Sequence, residues 1–288
     1  MPYGFNDSYV HLPQSTSFCV KYRKLTHQYE TDNYGGRLLF SGALNNKIQV
    51  FGDSQVLGLD VDNIEQHYLS LLYKKHDFVI YAAPNNGPYQ VINFLNKNKQ
   101  ILKKKIIVTF NFSTDLYRIL DYYDPKNFVA LKDYELDEIL ERPFKYKLII
   151  FKNLLINKNF TLSKYDNKKM QNIFLNSDYD ELYKNLTKYF DELNKLANRL
   201  DKEIDFIVTH PYWVYSIDQK NSKLLLDKEL NEKVEKLICN SFMPTRKINK
   251  ILISKVSKNL QLKDLTIDKR HLKSMKIKLV EHDKVCGF

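Results

Sequence analysis

Short apolar runs alternate along this chain with segments whose apolar residues recur at helical spacing. Ile48-Gln49-Val50-Phe51, Phe78-Val79-Ile80-Tyr81-Ala82-Ala83, Ile106-Ile107-Val108-Thr109-Phe110, Ile204-Asp205-Phe206-Ile207-Val208 and Lys250-Ile251-Leu252-Ile253-Ser254-Lys255-Val256 read as five buried strands. Ile64, Tyr68, Leu71 and Leu72 predict a helix over 64–73, and a second runs from Tyr89 to about Lys103. Before the fourth strand, Tyr179, Leu182, Leu186, Tyr189/Phe190, Leu193, Leu196 and Leu200 form one stripe of a long amphipathic helix. A further helix near Leu226–Cys239 leads into the fifth strand. Strands alternating with helices at these intervals build parallel βαβ units. The predicted fold class is α/β: a three-layer α/β/α sandwich around a mostly parallel five-stranded sheet.

The periodic pattern also divides the chain. Residues 1–46 are rich in Tyr, Asn, Gly and Ser and show no helical period; within them Tyr29 to Arg37 reads as strand, Gly-rich turn and strand, an N-terminal hairpin extension. The α/β domain takes residues 47–122 and 179–288. Between its halves, 123–178 mix Tyr, Asp, Lys and Asn around one apolar patch and read as an insertion or cap. No internal repeat and no low-complexity linker interrupts the rest.

Composition narrows the setting. With 43% hydrophobic and 13% aromatic residues the chain can bury a large core. Its 45 Lys and Arg against 34 Asp and Glu give a formal charge of +11, scattered over the chain with clusters at Lys103-Lys104-Lys105 and Lys269-Arg270. Either this is a solvated basic surface or it attracts an anionic polymer or a membrane face. No helix-turn-helix, zinc-finger or RNP-like pattern accompanies the charge, which leaves nucleic acid a weak option. Three widely spaced cysteines, Cys19, Cys239 and Cys286, argue against a disulfide framework and a zinc knuckle and suit a reducing cytosol. The N-terminus lacks a secretory pattern, and the apolar run at Leu148–Phe151 is too short to span a bilayer. The expectation is a cytoplasmic protein, at most peripheral to the inner membrane.

Two short stretches carry candidate chemistry. The first strand stops at Gly52-Asp53-Ser54, with Gly58 four residues later. Such a turn is common, yet after a buried strand it presents a small hydroxyl at the carboxyl edge of the sheet, where ligands of open α/β sheets bind. Near the C-terminus, Asp268-Lys269-Arg270-His271 places an acid and an imidazole three apart. Asp268 either caps the last helix, with His271 in its first turn, or orients His271 as a base toward a serine. The presence of Ser54 favours the second reading.

Together these blocks resemble the SGNH (GDSL-like) family of serine esterases and acyltransferases. Gly52-Asp53-Ser54-Gln55 is similar to its first block and Asp268-Lys269-Arg270-His271 to its terminal Asp-x-x-His block. Upstream, Thr31-Asp32-Asn33-Tyr34-Gly35-Gly36-Arg37 resembles the Thr-Asp…Gly-x-Arg hairpin of one bacterial branch. Ala82-Ala83-Pro84-Asn85-Asn86-Gly87-Pro88-Tyr89-Gln90 resembles that branch's Gly-rich second block. The resemblance implies Ser54 as nucleophile, His271 as general base and then acid, and Asp268 as its orienter. It implies an oxyanion site made by the Ser54 backbone N–H with donors from the second and third blocks. Asn85 best matches the second-block glycine, with Gly87 as the alternative. The third block normally reads Gly-x-Asn-Asp. Here Phe110-Asn111-Phe112-Ser113-Thr114-Asp115 stands in its place, so that Thr114 takes the Asn position unless a shift brings in Asn111.

His210, after the fourth strand, either lines the same cleft or is a hydrogen-bonded structural histidine. Tyr212 and Trp213 either stack on a sugar ring or pack in the core. No His, Cys, Asp and Glu spacing suggests a metal, and no P-loop or dinucleotide fingerprint is present. The resulting expectation is acyl transfer through an acyl-Ser54 intermediate, to water or to a sugar hydroxyl, on a carbohydrate or surface-glycan precursor. No cofactor is required, and acetyl-CoA would be the acyl donor of a transferase. The alternative is a non-catalytic glycan- or protein-binding module on the same scaffold, with a degraded oxyanion site.

Overall fold

The computed structural model describes residues 4–6, 9–11, 17–22, 25–39, 47–58, 67–72, 77–82, 86–121, 167–218, 220–255, 259–264 and 277–287. Its centre is a sheet built from β5 (Arg37–Leu39), β6 (Lys47–Gly52), β7 (Asp77–Ala82), β8 (Lys105–Asn111), β9 (Glu203–Thr209), β12 (Lys250–Lys255) and β14 (Lys278–Glu281). The spatial order is β14-β12-β9-β8-β6-β7-β5. The five strands predicted from the apolar runs are the parallel ones. Two antiparallel edge strands extend the sheet to seven, pairing Arg37 with Ile80 and Val280 with Ile253. At three and four residues, with charged ends, these edges are too short to stand out from their polar surroundings in sequence.

Side-chain alternation explains the layers. Phe51, Tyr81, Val108, Phe110, Phe206 and Ile253 face one side of the sheet, and Val50, Ile80, Ile107, Ile207 and Leu252 face the other. The first side is covered by α3 (Pro88–Lys97), α4 (Phe112–Asp121), α5 (Asn167–Asn176), α6 (Tyr179–Leu200) and α7 (Lys228–Ser241). The second is covered by the short helices α1 (Ser54–Leu57) and α2 (Tyr68–Leu72) and by Tyr29. Helix α6 buries the predicted stripe, from Leu182 through Leu196, and starts at Asp178, whose carboxylate accepts from the Asp180 N–H at 3.0 Å. Phe174 of α5 packs against Trp213 with ring centroids 5.2 Å apart.

The N-terminal residues form β1 (Gly4–Asn6) with β2 (Tyr9–His11), and β3 (Ser17–Tyr22) with β4 (Leu25–Glu30). The turn after β4 closes through a Thr31–Arg37 bridge. A third small sheet joins β10 (Tyr215–Asp218), β11 (Lys223–Leu226) and β13 (Leu260–Gln261), in a region the periodicity left blank.

The cysteine reading is corrected. Cys239 of α7 and Cys286 of α8 (His282–Cys286) form a disulfide across 47 positions. Their separation in sequence hid a contact that arises because α8 follows the edge strand β14 and packs back onto α7. No helix of the described residues is long and apolar enough to cross a membrane.

Candidate functional site

In the order β7-β6-β8-β9-β12 the chain leaves β6 to one side and returns to the other. Connections therefore diverge between the carboxyl ends of β6 and β8. This is the topological switch point of an open parallel sheet, the crevice where such folds bind ligands. Asp53 and Ser54 lie there, immediately after β6.

The turn is shaped by close packing. A Cβ on Gly52 would sit 2.0 Å from Thr109 Oγ1 and 2.6 Å from Val56 Cγ2, so only glycine lets β8 and α1 approach this closely. Thr109 uses that proximity to donate its hydroxyl to the Phe51 carbonyl at 3.1 Å. Ser54 is the first residue of α1, and Asp53 is its N-cap, accepting from the Gln55 N–H at 2.9 Å. The helix ends after one turn at Gly58, whose φ of +69° is the left-handed conformation.

Asp53 is buried and heavily engaged. Besides the Gln55 amide, its other carboxylate oxygen accepts from Asn111 Nδ2 at 2.9 Å and from Thr114 Oγ1 at 3.2 Å, with Arg118 Nη1 3.8 Å away. Asn111 ends β8; its backbone N–H donates to Asp115, and its side-chain oxygen accepts from the Ser113 N–H. Arg118 pairs with Asp115 at 2.8 Å and donates to the Asn86 carbonyl at 2.7 Å, tying α4 to the segment before α3. Thr209, at the end of β9, donates to Gln55 Oε1 at 3.0 Å. One polar network thus joins the carboxyl ends of β6, β8 and β9.

Burial sets the electrostatics. It raises the Asp115 carboxyl to about 7, against the lowering effect of Arg118. It lowers His210 to about 4. The His210 imidazole is therefore neutral near pH 7, and Glu235 at 3.8 Å is a neighbour rather than an ion-pair partner. Its backbone N–H donates to Ser254 Oγ. His210 has the burial of a structural histidine, anchored by its main chain. Tyr212 and Trp213 are buried in the core, which decides between packing and sugar stacking in favour of packing.

The sequence-derived candidates separate into two groups. Asn111 and Thr114 converge on Asp53, which Ser54 follows as the first residue of α1, and Gly87 stands nearby as the N-cap of α3, its N–H donating to Gln90 Oε1. Asn85, Asp268 and His271 lie outside the described residues. Asp115 and Gln55 stand inside the family-like motifs without a role of their own, and Arg118 goes unnoticed in sequence. The periodicity predicts no helix over α4, so the Asp115–Arg118 spacing carries no signal of a shared helix face, and nothing in it indicates burial against Asp53.

The hairpin residue Arg37 braces the turn from the opposite side. Buried over the Tyr29 ring at 3.7 Å, it donates to the carbonyl of Leu57, the last residue of α1. Beside it His67, fully buried and lowered to about 4 chiefly by desolvation, accepts from the Leu69 N–H. Among the described residues, the metal-capable cluster is Cys239, His282 and Cys286, at the opposite edge of the sheet.

No known family profile matches the chain, and no curated protein matches it. Two solved structures are similar in part. The lipase Lip_vut3 from a goat rumen metagenome is 13% identical, over 81% of this chain and 94% of its own, with a TM-score of 0.40. A member of the lipolytic protein G-D-S-L family from Veillonella parvula DSM 2008 is 12% identical, over 67% and 72%, with a TM-score of 0.27.

Proposed function

We propose that this chain is a serine-dependent acyl-ester hydrolase or O-acyltransferase that works through an acyl-Ser54 intermediate. The observation that supports this most is the locked Asp53. Its carboxylate holds α1 from the N-terminal side while spanning to β8, so the residue that follows is held at the switch point of the sheet. Preorganised geometry of this kind is what an acyl-transfer site needs.

In the proposed reaction the Ser54 hydroxyl attacks the ester carbonyl as His271, oriented by Asp268, removes its proton. The C–O bond to the leaving alcohol breaks, and His271 returns the proton to that alcohol. Water, or a sugar hydroxyl, then attacks the acyl-serine by the reverse proton path. Asn111 is the better of the two third-block oxyanion candidates. The one Thr114 hydroxyl proton is committed to Asp53, whereas the Asn111 amide spends one N–H there and has a second. A carbohydrate ester, and acetyl-CoA as donor if the acceptor is a sugar, complete the reading.

The same commitment of donors favours a second reading, a binding module on this scaffold. A fluorophosphonate probe separates the two. Labelling of folded wild type that disappears in Ser54→Ala supports the enzyme; a folded wild type that does not label rejects it. Acetate release measured with and without sugar acceptors then distinguishes hydrolysis from transfer.

A further inference from the structure

Cys239, His282 and Cys286 offer two sulfurs and an imidazole nitrogen that all lie within 4.8 Å of one another. They come from two elements: Cys239 from the last turn of α7, and His282 with Cys286 from α8, where a spacing of four puts both on one helix face. Because β14 runs antiparallel to β12, α8 begins near the amino-terminal edge of the sheet, away from Ser54. Cys239 and His282 are buried and Cys286 is partly exposed, so one side of the cluster is open to solvent.

We propose that the reduced form of this cluster is a Cys2His site for a thiophilic divalent cation of the zinc class, with the disulfide as its closed, metal-free state. A disulfide by itself calls for no imidazole among its sulfurs. Two thiolates and a histidine, by contrast, are three ligands of a tetrahedral ion. Zn–S and Zn–N bonds of about 2.3 and 2.0 Å place tetrahedral ligand atoms roughly 3.5–3.8 Å apart, inside the 4.8 Å that encloses the three atoms, so that reduction need only let the two sulfurs part. Asp283 supplies the outer contact: its carboxylate lies 3.5 Å from His282 Nδ1, which favours the proton on that nitrogen and the lone pair on Nε2. With three protein ligands, water fills the fourth position.

The redox step balances with a small-molecule thiol as reductant. Two R–SH and the Cys239–Cys286 disulfide give two cysteine thiols and R–S–S–R, and the cation then displaces the two thiol protons. Sulfur oxidation would expel the ion, so metal occupancy reports the thiol poise around the protein.

The test uses the full chain with Cys19, the exposed free thiol, replaced by Ser. After reduction with 2-mercaptoethanol and anaerobic desalting, Co2+ is the probe. One equivalent should produce thiolate-to-cobalt charge-transfer absorption and the visible bands of a four-coordinate ion, while the oxidised chain produces neither. Asp283→Asn should weaken Co2+ binding by about 10- to 100-fold, and His282→Asn, which removes a ligand outright, by more. Cys286→Ser, chosen because Cys239 is in the core, should remove about half of the charge-transfer intensity. Zinc should also protect both thiols of this reduced chain, otherwise unsubstituted, from alkylation. Absence of the bands in a chain with two titratable thiols, or bands unchanged in His282→Asn, overturns the proposal. So does a reduced chain that loses its far-ultraviolet dichroism even with Zn2+ present. None of these readings depends on activity at Ser54.

Discussion

The side-chain amide of Asn111 donates to the carboxylate of Asp53 at 2.9 Å, linking the ends of two neighbouring parallel strands that lie 58 residues apart in sequence. Thr114 adds a second donor to the same oxygen, and the Gln55 amide engages the other. The turn that carries Ser54 therefore depends on groups contributed from β8 and α4, the unit beside it in the sheet.

Because Asn111 and Thr114 share one acceptor atom, their contributions should couple. Thr114→Val and Asn111→Ala each remove a buried donor to a charged group and should cost about 1.5–3 kcal/mol of stability. The double variant should cost measurably more than the sum, since in each single variant the remaining donor still serves the shared oxygen and in the double neither does. Thr114→Ser, which keeps the hydroxyl, should be close to wild type. Urea unfolding of the four proteins checks the cycle; strict additivity would show that the two donors act independently.

Gly52→Ala should be among the most damaging single-methyl changes in the protein. The new Cβ would meet Thr109 Oγ1 at 2.0 Å and Val56 at 2.6 Å, and forced overpacking of this kind costs about 1–3 kcal/mol or more. Thr109→Ala should restore part of the loss by removing the closest atom, at the expense of the hydrogen bond to Phe51. A thermal melt of Gly52→Ala that overlays the wild type would contradict the packing argument.

Arg37 should resist conservative replacement. Arg37→Met loses the hydrogen bond to Leu57 and should cost about 1.5–3 kcal/mol. Arg37→Lys should recover little, because an ammonium cannot both lie flat over Tyr29 and donate from a planar fork. If the brace holds α1 in place, fluorophosphonate labelling should slow in both variants at temperatures where their circular dichroism is unchanged. Equal labelling rates would confine Arg37 to a packing role.

Acid should destabilise the fold through its buried imidazoles. His67 and His210 titrate near 4 when folded and near 6.5 when unfolded. The unfolded chain therefore binds about two more protons between these values, and this contribution is present above pH 6.5 and lost as pH falls to 4. Asp115 has the opposite sign. Raised to about 7 from 3.8, it holds a proton in the folded state that the unfolded chain has released, and its contribution is lost as pH rises through 7. Two minus one leaves a net uptake of about one proton on unfolding near pH 5 from these groups. Asp115→Asn should raise that slope by about one proton, and His210→Asn should lower it by about one. Urea melts at pH 4.5, 5.5 and 6.5 measure all three.

Local patterns carried the scaffold. Short continuous apolar runs marked the five parallel strands, which are buried on both faces, and the 3.6-residue stripe from Leu182 to Leu196 marked the longest helix, because both signals lie within a few residues of chain. The order Gly-Asp-Ser after the first strand put Ser54 at the strand's carboxyl end in advance, since the end of a buried strand is a local property. Tertiary structure decided what surrounds it. That both Thr114 and Asn111 turn toward Asp53, that Asp115 and Arg118 are buried beside it, and that Cys239 meets Cys286 are all long-range facts. Each depends on which strands become neighbours and how helices settle across them. Single-chain spacing has no term for those distances.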